Sequence, residues 1–277
     1  MFYRLLFLLS ALSLAAGAAK ACGGPDDACE TPLGSYFAVK PEATEGHRPA
    51  VIFFHGGGGW GSRIFTMRKE MADAFTKRGY VVIAPNGKKR PGSKFGPGWS
   101  FIPQFPPIRD EVAFTREIIA DAADKFSIDA SRVVITGYSI GGSLTSYLAC
   151  RDPSVGVAFA PLAGGFWKPH PETCTGSVRL LHTHGWRDQT VPLEGRPLGA
   201  IGVEQGDIYE TIAMWREKNG CAKYRADEFV TDGPFWRRKW THCDTGALEF
   251  ALHPGGHNVP PEWANMVLNW FEGLPAE

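Results

Sequence analysis

The sequence predicts an α/β fold: a single domain with a mostly parallel central sheet and helices on both faces. Three observations carry that prediction. Short apolar runs alternate with stretches of helical period along the chain, the pattern of strands buried on both faces and joined by crossover helices. Gly-rich segments and reactive side chains fall just after the predicted strands, where open α/β sheets place their sites. No internal repeat or linker divides the 277 residues, a length that one α/β domain accommodates. Apolar residues make up 44%, charged residues 21%, and the formal net charge is zero. That composition is globular and offers no overall charge with which to hold nucleic acid or an anionic membrane.

From the N-terminus, Arg4, the apolar stretch 5–16 and the small residues up to Ala21 read as a secretion signal. The chain thus divides into a signal over 1–21 and one folded domain over 22–277, exported to the extracellular space or periplasm without stable membrane insertion. The apolar stretch is short for a membrane span. A retained anchor helix and a lipidated Cys22 are the competing readings, and Lys20 suits lipidation poorly. Six cysteines in an exported chain imply disulfides, and no CxxC spacing points to zinc or redox chemistry. Six cysteines allow fifteen pairings and the sequence does not fix one; proximity along the chain favours Cys22 with Cys29, Cys150 with Cys174, and Cys221 with Cys243.

The elements follow in order. Residues 22–49 form a Gly- and Pro-rich lead-in with one strand at 34–39. The apolar run 50–54 is a buried strand that ends in His55 and four glycines. Met67, Met71, Ala74 and Phe75 share one face of a helix over 66–78, which Gly79 closes. The β-branched run 80–84, bounded by Pro85, is the next strand. Glycines, prolines, Trp99, Phe101 and Phe105 interrupt the rhythm over 86–107. A loop of that length is functional or disordered, and its aromatics argue for order. Helical period resumes over 108–126. A strand at 132–136 leads through a sharp Gly-rich turn into a helix at 140–150. Buried strands at 155–160 and 178–182 precede a helix over 203–219, closed by Gly220. Two more strands, 226–231 and 247–252, lead to the last helix, 262–271.

Within this framework, Gly137-Tyr138-Ser139-Ile140-Gly141 has the strand–turn–helix setting of a nucleophile elbow, which lifts a serine hydroxyl above the sheet. Its glycines admit close backbone approach, and the helix behind the serine aims amide donors at developing negative charge. A plain Gly-rich turn is the bland alternative. His55-Gly56-Gly57-Gly58-Gly59 is an HGGG-type run in which the Gly57 amide joins that of Ile140 as an oxyanion hole. No Lys-Ser/Thr follows in phosphate-loop spacing, and His55 reads as a residue that orders the loop. Asp188, in His184-Gly185-Trp186-Arg187-Asp188, and His257, in Pro254-Gly255-Gly256-His257-Asn258, complete the chain order Ser, Asp, His.

The competing residues read differently. Asp207 reads as a helix cap and Asp232 as a turn residue. His253 lies against its strand end and before a proline, which favours His257. His182 and His184 share a strand face without further ligands in sequence, so both read as structural rather than as a metal pair. No metal or organic cofactor is required. Trp60, Trp99 and Trp186 are candidate substrate contacts among loop aromatics that equally serve to close the core. Arg237-Arg238-Lys239 reads as a solvated strand face.

Together these residues resemble the secreted polyhydroxybutyrate depolymerase and feruloyl esterase group of the α/β-hydrolases. The shared motifs are the His55–Gly59 run, Gly137-Tyr138-Ser139-Ile140-Gly141-Gly142, the stretch from His184 to Pro192, and Gly255-Gly256-His257. The acid segment, with Val191-Pro192 after Asp188, is the most group-specific. The resemblance implies an α/β-hydrolase fold, with Ser139 as nucleophile, His257 as base and Asp188 as the acid that orients it. It also implies turnover of small or polymeric carboxylic esters through an acyl-enzyme: feruloyl or acetyl esters of polysaccharides, or polyhydroxyalkanoate-type esters. One position departs. The group often has a tryptophan two residues past the catalytic histidine, followed by Pro-Gly, where this chain has Val259, Pro260 and Pro261. The departure removes an aromatic from the cleft and leaves the substrate open. A serine peptidase or thioesterase on the same fold, and a non-catalytic hydrolase-like binding protein, are the alternatives. Oligomeric state is not legible.

Overall fold

Successive side chains of a strand point to opposite faces of its sheet, so a continuously apolar strand feeds two cores at once. The computed structural model describes residues 22–42, 46–94, 96–199 and 202–275. In it, Ile52 and Phe54 join one apolar cluster while Val51 and Phe53 join the other. Val81 and Ile83 separate from Val82 and Ala84 in the same way, and Val133 and Ile135 from Val134.

The elements are β1 (Gly24–Thr31), β2 (Gly34–Val39), β3 (Arg48–Phe54), α1 (Arg63–Met67), α2 (Lys69–Lys77), β4 (Val81–Pro85), α3 (Glu111–Phe126), β5 (Ile128–Tyr138) and α4 (Ile140–Arg151). They continue with β6 (Ala158–Leu162), β7 (Trp167–Lys168), β8 (Arg179–Gly185), β9 (Arg196–Leu198), β10 (Val203–Gln205), α5 (Ile208–Lys218), β11 (Glu228–Asp232), β12 (Phe235–Trp240), β13 (Ala247–His253) and α6 (Trp263–Glu272). Ten strands make one sheet in the order β1-β2-β4-β3-β5-β6-β8-β13-β12-β11. Its centre, from β4 to β13, is parallel throughout, and an antiparallel pair flanks each side. Helices α3, α4 and α5 pack Phe114, Leu144 and Trp215 onto one face. Helices α1, α2 and α6 pack Ile64, Phe75 and Trp263 onto the other. This is the α/β-hydrolase architecture, with its parallel strand ends gathered at one edge.

Several elements differ from the sequence reading. The lead-in holds an extra strand, β1, whose exposed Asp26 and Glu30 and half-buried Asp27 suit a sheet edge and hide it from apolar patterning. The single helix expected over 66–78 is two, because Arg68 leaves the helical region with φ −128° and ψ 35°. The helix expected from 203 starts at Ile208, where Asp207 caps the amides of Tyr209 and Glu210. Residues 203–205 instead join β7 and β9 in a small second sheet. The basic run on β12 is only partly a solvated face. Arg237 is buried and paired with Glu249 at 2.7 Å and Asp232 at 3.0 Å, across strands that sequence distance conceals.

Disulfides join Cys22 to Cys29, Cys150 to Cys174 and Cys221 to Cys243. The signal expected over 1–21 lies outside the described residues. Among those described, no helix is long and apolar enough to cross a membrane.

Trp263 anchors the second core. It is fully buried, meets Phe53 and Phe75 edge-on at 6.2 Å each, and donates its indole N–H to Thr183 Oγ1 at 3.2 Å. Trp263→Ala is expected to cost about 3–5 kcal/mol in denaturant unfolding. Tyr224→Ala, at an exposed site, is expected to change stability by no more than about 0.5 kcal/mol.

Candidate active site

Ser139 sits where β5 turns into α4, with φ 59° and ψ −125°, a region that residues with a Cβ avoid. The turn is fixed from both sides. The Ser139 amide donates to Leu162 O at 2.9 Å, and its carbonyl accepts from the Ser143 amide at 2.9 Å. Two neighbours must be glycine because backbones touch there: a Cβ on Gly141 would lie 2.1 Å from Phe54 O, and one on Gly164 would lie 2.1 Å from Ser139 O. Ile140 then opens α4, where the first amides of a helix have no acceptor within it.

The loop after β3 lies alongside. A Cβ on Gly57 would meet Ile140 Cδ1 at 3.7 Å, and one on Gly56 would meet Ser139 Cβ at 3.3 Å. His55 orders this loop, donating from Nδ1 to Gly56 O at 2.7 Å and accepting at Nε2 from the Gly87 amide at 3.0 Å. Burial pushes its pKa down to about 4 against the opposing pull of the Gly56 carbonyl, so the ring is neutral. The long 86–107 segment clamps the same loop. The Gly58 amide donates to Pro97 O at 3.0 Å, and Trp99 donates its indole N–H to His55 O at 2.9 Å.

Trp99 is therefore a correction to the sequence reading. Its ring packs on Phe54 and His55 with only 7% exposed, so it supports the glycine loop from behind and does not face a ligand. Phe101, Phe166 and Trp167 are buried as well. Trp60 and Trp186 remain exposed, at 49% and 57%, and Trp60 borders a cavity of about 330 Å³ beside the glycine loop.

His257 reaches Ser139 from the loop after β13. Its Nε2 lies 2.9 Å from Ser139 Oγ and its Nδ1 lies 2.7 Å from Asp188 Oδ2. The other oxygen, Asp188 Oδ1, accepts from the amides of Thr190 and Val191 at 2.9 Å each. Burial raises the Asp188 carboxyl pKa, but hydrogen bonds from His257 and the Val191 amide outweigh it and hold the group below the ordinary aspartate range. Backbone bonds fasten the two loops together: Trp186 N–H to His253 O at 2.7 Å, and Arg187 N–H to Gly255 O at 3.0 Å.

The sequence reading passed over several supports of this arrangement. Tyr138 donates its hydroxyl to His257 O at 2.7 Å, and its ring lies 4.9 Å from the imidazole. Only its place beside Ser139 hinted at that. His184 donates Nε2–H to Val191 O at 2.8 Å, which leaves Nδ1 to accept from His182 Nε2 at 3.1 Å. Burial keeps both rings neutral, His184 at about 4 and His182 well below its ordinary value. His253 is buried and accepts the Gly255 amide at Nδ1. Among the described residues no group of three His, Cys, Asp or Glu side chains is arranged to hold a metal ion. The geometry is that of a serine hydroxyl with a proton acceptor at hand and amide donors beside it.

The family model BD-FAE matches residues 38–154. Feruloyl esterase B of Piromyces equi is 26% identical over 169 residues, 55% of this chain and 29% of that protein. Probable feruloyl esterase C of Aspergillus niger is 25% identical over 184 residues, 65% of this chain and 58% of that protein. The chain thus spans less than two thirds of the length of these curated relatives. Among solved structures, acetyl xylan esterase from Aspergillus awamori superposes with a TM-score of 0.62 at 15% identity, covering 86% of this chain and 93% of that one. The Bacillus cereus carboxylesterase superposes with a TM-score of 0.56 at 14% identity, covering 87% and 94%. The fold is that of an α/β-hydrolase. In sequence the chain is similar to feruloyl esterases over the regions matched.

Two changes test the geometry. Tyr138→Phe removes one anchor of the His257 loop and is expected to lower kcat about fivefold, the worth of roughly one hydrogen bond. Asp188 has a lowered folded pKa, so its stabilisation is complete above the unfolded value and is lost as pH falls through the folded one. The stability gap between wild type and Asp188→Asn, measured in urea, is expected to hold down to about pH 5 and to shrink below it.

Proposed function

We propose that this chain is a secreted serine esterase whose substrates are feruloyl or acetyl esters of polysaccharides. The observation that carries the reading is the line of hydrogen bonds from Ser139 through His257 to Asp188, at 2.9 and 2.7 Å. In the proposed reaction His257 Nε2 takes the Ser139 proton as Oγ attacks the ester carbonyl. Asp188 fixes the imidazole tautomer and stabilises its cation. The tetrahedral oxyanion is held by the amides of Gly57 and Ile140, donors of a kind whose loss costs about 10²–10³ in rate. His257 returns the proton to the departing alcohol, leaving an acyl-serine, and water repeats the cycle to release the acid and restore Ser139.

The substrate class rests on named relatives: feruloyl esterases among the sequences and an acetyl xylan esterase among the structures. Exposed Trp60 and Trp186 offer flat apolar faces suited to a phenolic ring or a sugar. Three disulfides support export to an oxidising compartment.

The test is a panel of methyl ferulate, acetylated xylan, short 4-nitrophenyl esters, hydroxybutyrate oligomers and matched amides. Wild type is expected to hydrolyse the first three, to favour esters over amides, and to take a fluorophosphonate label on Ser139. Ser139→Ala is expected to lose both the label and at least about 10⁴-fold in kcat. Activity that survives Ser139→Ala would overturn the nucleophile, and preference for hydroxybutyrate oligomers would overturn the substrate class.

A further inference from the structure

The cavity beside the glycine loop is charged in one sense only. Its walls include Gly56, Gly57, Trp60, Arg63, Arg68 and Tyr138, and none of its lining residues is Asp or Glu. His55, also in the wall, is neutral. The cavity adjoins the reacting centre, since Tyr138 precedes Ser139 and Gly56 lies against the Ser139 side chain. Ser139, Asp188 and His257 do not themselves line it, so a substrate would enter it with a group beyond the scissile bond.

Two arginines stand in this wall without an opposing carboxylate, and one of them is half-buried. Arg78, Arg109, Arg116 and Arg237 each pair with a carboxylate. Among the described residues, neither Arg63 nor Arg68 has an Asp or Glu within ion-pairing distance. Arg68 is half-buried at the break between α1 and α2, its guanidinium 4.6 Å from the centre of the Tyr138 ring. That ring is itself fixed by the hydroxyl bond to His257 O. A cation withdrawn from water without a counter-charge costs free energy that an arriving anion offsets. Arg63, exposed at the rim, adds a second fork of donors suited to a planar carboxylate. Stacking on Tyr138 explains Arg68 alone and leaves Arg63 without a role.

We propose that this cavity is a carboxylate subsite, so that the enzyme prefers esters bearing a carboxylate near the scissile bond. The inference rests on the ester hydrolase reading above and deepens it. Two sources share this chemistry: a uronate sugar on the alcohol side, and a dicarboxylic acid hemi-ester on the acyl side.

Two matched pairs separate the sources. Acetylated glucuronic acid is compared with acetylated glucose, and mono-4-nitrophenyl glutarate with 4-nitrophenyl pentanoate. Each is assayed with wild type, Arg63→Gln, Arg68→Lys and the Arg63→Gln/Arg68→Gln double variant. At low ionic strength the anionic member of one pair is expected to show a kcat/KM about tenfold higher in wild type, the scale of a hydrogen bond to a charged group. That ratio is expected to fall with added salt, to survive in part in Arg68→Lys, and to approach one in the double variant. Both substrates see the same preparation, so partial misfolding cancels from the ratio. A wild-type ratio near one in both pairs, or a ratio unchanged in the double variant, overturns the subsite. Calorimetric titration of Ser139→Ala with glucuronate and with glutarate distinguishes the two failures. Binding that requires Arg63 and Arg68, with no ester turned over by wild type, sinks the esterase and keeps the subsite. Neutral ester turnover without charge preference or carboxylate binding does the reverse.

Discussion

The turn at Ser139 brings three separate backbones into contact, and the rest of the site takes its register from that contact. With φ at 59°, the serine is held between Leu162 O and the Ser143 amide, while Gly141 presses on the end of β3 and Gly164 on the serine carbonyl. Such a conformation costs on the order of 1–3 kcal/mol, and it persists because parallel pairing fixes β3, β5 and β6 side by side. Once β3 is seated against the elbow, its glycine loop has one place to go, beside Ile140. The loops after β8 and β13 are laced together by their own amides, and they bring carboxylate and imidazole to the same point.

Electrostatically, the site is selective about its imidazoles. His55, His182, His184 and His253 are all buried, and burial lowers the pKa of each. Each serves as a neutral hydrogen-bonding strut in loop or strand. His257 alone among these five bonds both a carboxylate and the serine hydroxyl. The neutral neighbours matter physically, because a charged imidazole near Asp188 would compete with His257 for its field. The long 86–107 segment contributes in the same passive way, holding the glycine loop through Trp99 and Pro97.

How much of this was legible depended on the kind of signal. Chain order and loop position mark Ser139, Asp188 and His257, because an elbow and two strand-end loops leave local glycine patterns. The parallel centre of the sheet was legible for a similar reason, since strands buried on both faces read as unbroken apolar runs. Trp99 was misread because an aromatic in a loop looks the same whether it turns inward or outward. The break at Arg68 carries no glycine or proline, so nothing in the local sequence announces it. β12 hides its burial in the Arg237–Glu249 pair, whose members meet only across paired strands. The group-specific Val191 is legible as a motif, whereas the bond from its backbone amide to Asp188 and the burial of its side chain appear only in three dimensions.

We propose that hydroxyl, imidazole, carboxylate and two backbone amides form one working unit. A crystal structure of the protein after reaction with an alkyl fluorophosphonate tests it most directly. Phosphorus is expected on Ser139 Oγ, with one phosphonyl oxygen within about 3 Å of both the Gly57 and Ile140 nitrogens and His257 still on Asp188. An adduct on another residue, or a phosphonyl oxygen turned away from both amides, would contradict it.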